Sequence, residues 1–108
     1  PVPAETARAV LEGLIGLQGV AIGVASRLMC VKRPDIFVVI NNANDEAVRR
    51  IFGSRPRAVS TYLQLMQRIR DFPWWSAPRP ADARAARIWD ARVALLDAVM
   101  YEIPAYQR

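Results

Sequence analysis

The sequence predicts an all-α protein, a compact bundle of about five helices in one domain spanning residues 1–108. Three observations carry this. Apolar residues recur at three- and four-residue spacing in several separate stretches. The single strand-like run, Ile36-Phe37-Val38-Val39-Ile40, has no convincing second strand to pair with. The length of 108 residues, with 53% hydrophobic and 23% charged, suits one ordinary globular core. The same length equally suits one piece of a larger assembly.

Residues 4–14 form the first expected helix, with Ala7, Val10, Leu11 and Leu14 on one face and Glu5, Arg8 and Glu12 on the other. Gly13, Gly16, Gly19 and Gly23 then crowd the chain, and glycine costs about 1 kcal/mol relative to alanine inside a helix. A tight turn over 16–20 explains them better. A second helix is expected over 21–31, burying Ile22, Ala25, Leu28 and Met29 and ending before Pro34. The 36–40 run is expected as an extended connector packed on the core, since a lone strand would leave its backbone groups unpaired.

Asn41, Asn42 and Asn44 are preferred helix caps, and Asp45 and Glu46 suit a positive helix start, so a third helix is expected over 44–52, stopping at Gly53. Val59, Tyr62, Leu63, Met66 and Ile69 mark a fourth over 57–71. Residues 72–80 hold three prolines and two tryptophans and cannot be helical throughout. A fifth helix is expected over 82–102, capped by Asp82, with Ile88, Trp89, Val93, Leu95, Leu96, Val99 and Met100 facing inward.

Composition excludes several chemistries. With Cys30 as the only cysteine and no histidine, an internal disulfide, a zinc site of the usual kind and imidazole-dependent triads are all ruled out. No metal or other cofactor is expected. The longest uncharged apolar stretch, between Glu12 and Arg27, is 14 residues, too short to span a bilayer. Pro1–Glu5 lacks the pattern of a signal peptide, which makes a cytoplasmic location the expectation.

The net charge of +5 is unevenly placed. Residues 27–70 carry nine cations against three acids, and arginine supplies 14 of the 15 cations in the chain. Its planar fork suits phosphate. High-GC codon usage would produce the same excess.

Leu17-Gln18-Gly19-Val20-Ala21 fits the turn pattern hydrophobic-x-Gly-hydrophobic-Gly except at its last position. A helix-hairpin-helix needs that pattern because a tight bend requires glycine freedom and a nearby phosphate tolerates no bulk. The N–H groups opening the second helix, Ala21 to Val24, would then face a phosphate, aided by the helix dipole. Gly23 would keep the approach open, and Arg27, Lys32 and Arg33 would add backbone contacts that do not read sequence. The alternative is that the glycines only let two helices pack closely.

The stretch from Leu14 to Gly53 resembles the helix-hairpin-helix DNA glycosylase superfamily. The matching order is the 17–21 turn, then Val24-Ala25-Ser26, then Phe37-Val38-Val39-Ile40-Asn41-Asn42, then a helix reaching Gly53. The resemblance implies duplex DNA as partner, with Gly19, Val20, Ala21, Gly23, Ser26, Asn41 and Asn42 on the binding side. Two departures bear on catalysis. Asn41 stands where that superfamily carries a cap carboxylate, and Gly23 where some members carry a Schiff-base lysine, with Lys32 too far along to replace it. No catalytic residue is therefore expected. The leading expectation is a non-catalytic domain that grips double-stranded DNA by its backbone.

Two other readings stand beside it. Trp74 and Trp75, bracketed by prolines, would cap the core or dock a partner protein, making the chain a protein-interaction module. A DNA-repair or defence enzyme would take its acid from another chain or from an unrecognised position. Trp89 and Cys30 are expected in the core.

Overall fold

The computed structural model describes residues 3–17 and 19–100. Among these the chain forms six α-helices and one 3-10 turn, with no strand. They are α1 (Ala4–Ile15), α2 (Ile22–Lys32), α3 (Asp45–Phe52), α4 (Val59–Arg70), the 3-10 turn Pro73–Ser76, α5 (Ala83–Asp90) and α6 (Leu96–Met100). The all-helical expectation holds. Gln18 and the expected helical residues 101–102 lie outside the described set.

The core is built around α1, α2, α4 and the 36–40 connector. Ala7 and Leu11 of α1 meet Ile22, Ala25 and Met29 of α2 and Tyr62, Leu65, Met66 and Ile69 of α4. α1 packs on both α2 and α4. Within α1 and α2 two inward assignments fail: Val10 is 46% exposed and Leu28 50%.

Ile36, in the turn that follows α2, and Phe37, Val38 and Ile40 beyond it are buried without a partner strand among the described residues. Side chains satisfy the connector's polar groups instead. The Tyr62 hydroxyl donates to the Val38 carbonyl at 2.7 Å, and Asn44 Nδ2 donates to the Val39 carbonyl at 2.7 Å. The Ile40 amide donates to Ser26 Oγ at 3.0 Å, and the Asn41 amide to Asn44 Oδ1 at 3.1 Å. Tyr62 also stacks on Phe37 with ring centroids 6.5 Å apart. Burial pushes its phenol well above the ordinary range, outweighing the hydrogen bond to Val38.

α3 stops at Gly53, whose φ of 92° requires a residue without Cβ. Asp82 caps α5 through a 2.8 Å bond from the Ala85 amide. Asn44 does occupy the N-cap of α3, but its side chain turns back to the connector rather than to the helix.

The single helix expected over 82–102 is broken. The Ala94 amide, which a continuous helix would direct to Asp90, donates instead to the Pro34 carbonyl at 2.8 Å. Ala91 and Arg92 close tight turns onto Ile88 and Trp89 at 3.1 Å, and Arg92 Nη1 also takes the Trp89 carbonyl. The break rotates the residues beyond it. Val93 and Met100 are buried, whereas Leu95 and Val99 face outward, against the inward placement expected of them; Ile88, before the break, also faces outward where it was expected inward.

Candidate nucleic-acid interface

α1 and α2 are joined by a turn in which the Leu17 amide bonds Leu14 and the Val20 amide bonds Leu17. Gly19 sits in it at φ 79°, with nothing within 4 Å of a Cβ placed there. Glycine is therefore required by backbone conformation, and the space beside it is open. Val20 tucks against the core, and Ala21 is the exposed, extended N-cap of α2.

Among the described residues no side chain caps α2, and its first turn carries no acid. The first amide with an intrahelical partner is that of Ala25, which bonds the Ala21 carbonyl at 3.0 Å. The amides of Ala21 to Val24 precede it at the positive end of the helix dipole. They border a groove of about 470 Å3 whose other wall is Arg55 and Arg57, from the connection between α3 and α4. Among the described residues no acid lines it. Arg55 is held in place: its Nη1 donates to Asn42 Oδ1 at 2.9 Å and lies 3.5 Å from Asp45 Oδ1. Arg57 is exposed and forms no salt bridge among the described residues.

The structure sorts the expected binding residues into groups. Gly19, Val20, Ala21 and Gly23 meet at the hairpin, and Asn42 joins them by holding Arg55. Arg27 is exposed on α2. Lys32 and Arg33 stand at the far end of α2, about 15 Å along the helix from the groove. Arg33 is paired with Asp35 at 2.9 Å, a contact that holds the Asp35 carboxyl below and the Arg33 guanidinium above their ordinary ranges.

Ser26 and Gly23 have inward roles. Ser26 is fully buried, its hydroxyl donating to the Gly23 carbonyl at 3.1 Å while accepting from Ile40, so it cannot face a phosphate. A Cβ at Gly23 would stand 3.3 Å from the Ile40 carbonyl oxygen. Glycine there lets α2 lie close against the connector, which is a different reason from the open approach expected of it.

The arginine-rich face is smaller than the sequence suggests. Arg49 and Arg50 bind Asp45 and Glu46 within α3, while Arg68 donates to the Phe52 carbonyl and lies over its ring. Arg55 and Arg57 hold the groove position that the sequence pattern assigned to Arg27, Lys32 and Arg33. Their only signal was membership of the basic 27–70 segment.

Asn41 is half-buried, and its Nδ2 donates to Asp97 Oδ1 of α6 at 3.2 Å. Asn44 Nδ2 donates to the same oxygen at 2.8 Å. A carboxylate thus stands beside the cap after all, but it comes from the other end of the chain and holds two carboxamides. Asp97 is also one cause, after burial, of the raised Cys30 thiol pKa. Among the described residues no cluster of acids, cysteines or histidines could hold a metal ion.

Trp75 is tied inward, its Nε1 donating to the Asp35 carbonyl at 3.0 Å, while Trp74 meets Trp89 edge-on at 6.1 Å. No family model, curated protein or solved structure matches the chain. No helix among the described residues is long and apolar enough to cross a membrane.

Proposed function

We propose that the chain is a non-catalytic module that holds double-stranded DNA by its phosphate backbone, without reading sequence. The observation that carries the reading is the uncapped N-terminus of α2, opened by Gly19 and facing Arg55 and Arg57 across a groove free of acids. The first amides of a helix, its dipole and guanidinium groups converge there on one space, and a phosphate diester satisfies all three. The resemblance of the 14–53 stretch to the helix-hairpin-helix DNA glycosylases supports the same reading. Asn41 and Gly23 in place of that superfamily's acid and amine support binding without chemistry.

Titration of the chain with a fluorescently labelled duplex of arbitrary sequence at increasing salt tests this. Affinity should fall with a log–log slope of about −0.9 per phosphate engaged, with little difference between sequences. Affinity unchanged between low and physiological salt would overturn it.

A further inference from the structure

We infer that an apolar groove between the 3-10 turn and α5–α6 docks a short acidic, amphipathic segment of a partner protein. This inference is independent of the nucleic-acid reading. The groove has a volume of about 310 Å3 and is walled by Trp74, Ile88, Trp89, Arg92, Leu95 and Val99 among others. Ile88 is 59% exposed, Leu95 42% and Val99 81%, so three large aliphatic side chains border one concavity floored by two tryptophans. A contiguous apolar patch of this kind marks an interaction surface, and aromatic anchors in a pocket are where binding energy concentrates.

The charges around the groove specify the partner. Its one charged lining residue among those described is Arg92, whose guanidinium lies 4.7 Å from the Trp75 ring and 4.5 Å from the Trp89 ring and donates to the carbonyls of both residues. Arg92 forms no salt bridge among the described residues. Arg84, one turn before Ile88 on the same flank of α5, is exposed and likewise forms none.

The nearby acids among the described residues are all engaged. Asp90 takes Arg79 through two bonds of 2.8 and 2.9 Å, Asp82 caps α5, and Asp97 holds Asn41 and Asn44. Among the described residues the surface therefore offers apolar pockets and two arginines, Arg84 and Arg92, without an ion-pair partner. A segment with apolar residues on one face and carboxylates beside them complements both.

Two synthetic helical peptides with identical leucine positions, one with Glu and one with Gln at every polar position, test this against the intact chain by tryptophan fluorescence. The Glu peptide should give a saturable change in emission at moderate salt, and the Gln peptide should bind about tenfold more weakly. Ile88→Glu with Val99→Glu should abolish Glu-peptide binding while leaving the helical circular dichroism intact, since both side chains are exposed. Equal binding of the two peptides, or none by either, overturns the proposal. So does displacement of the peptide by duplex DNA, or a concentration-dependent dimer that the double variant dissociates, which would give the face to nucleic acid or to a second copy.

Discussion

The Ser26 hydroxyl bridges two segments, accepting the Ile40 amide at 3.0 Å while donating to the Gly23 carbonyl at 3.1 Å. Ser26 and Ile40 are both fully buried, so removing the hydroxyl leaves the Ile40 amide with no partner. Ser26→Ala should destabilise the chain by about 1–3 kcal/mol, the range for orphaning a buried hydrogen-bonding group. Tyr62→Phe should fall in the same range, because it orphans the Val38 carbonyl while leaving the stack on Phe37 in place. Urea unfolding followed by circular dichroism measures both. A loss below the scatter for either would mean that water reaches the connector.

Gly19 and Gly23 should respond differently to alanine. At Gly19 the space is open but φ is 79°, so Gly19→Ala carries backbone strain of about 1–2 kcal/mol and no clash. At Gly23 a Cβ meets the Ile40 carbonyl at 3.3 Å, so Gly23→Ala forces α2 away from the connector and disturbs the Ser26 bond. Protection of the Ile40 amide in hydrogen exchange separates the two: it should drop in Gly23→Ala and persist in Gly19→Ala.

Local signals in the sequence were sufficient for most of the fold. Glycine at 53, aspartate at 82 and the apolar spacing of α1, α2 and α4 act within a turn or two of where they stand: α1 to α4 fall within two residues of expectation, and α5 begins where Asp82 caps it. What the sequence concealed depends on contacts between distant segments. The break after Asp90 arises because Pro34, 60 residues earlier, captures the Ala94 amide, and no residue near 94 announces this. Arg55 reaches the hairpin groove because Asn42 and Asp45 hold it there, and Asp97 reaches Asn41 only once α6 has turned. Ser26 reads as a polar residue on a helix face; only the packed connector makes it a buried bridge.

Acid should weaken the Arg33–Asp35 corner. Arg33 lowers the Asp35 pKa, first through their hydrogen bonds, so the folded chain binds that proton less readily than the unfolded chain does. The resulting stability is present above the ordinary aspartate pKa of about 3.9 and is lost as pH falls through the lower folded value. Both side chains are roughly a third exposed, so solvent screening keeps the contribution below about 1 kcal/mol. Urea midpoints at pH 5 and pH 3 should differ less in Asp35→Asn than in the parent chain. An identical difference would place the acid sensitivity elsewhere.

Arg57 and Lys32 provide the sharpest test of where phosphate is held. Both are exposed, neither forms a salt bridge among the described residues, and each carries one positive charge. Replacing either by glutamine therefore changes net charge equally and should alter stability by less than about 0.5 kcal/mol. They differ in position, since Arg57 walls the groove at the start of α2 and Lys32 closes the other end of that helix. If binding were a diffuse effect of net charge, the two variants would lose affinity alike. If phosphate sits in the hairpin groove, Arg57→Gln should reduce the salt slope by about 1 while Lys32→Gln leaves it nearly unchanged. Fluorescence anisotropy on one labelled duplex at several salt concentrations measures both slopes, and equal slopes would remove the groove from the account of binding.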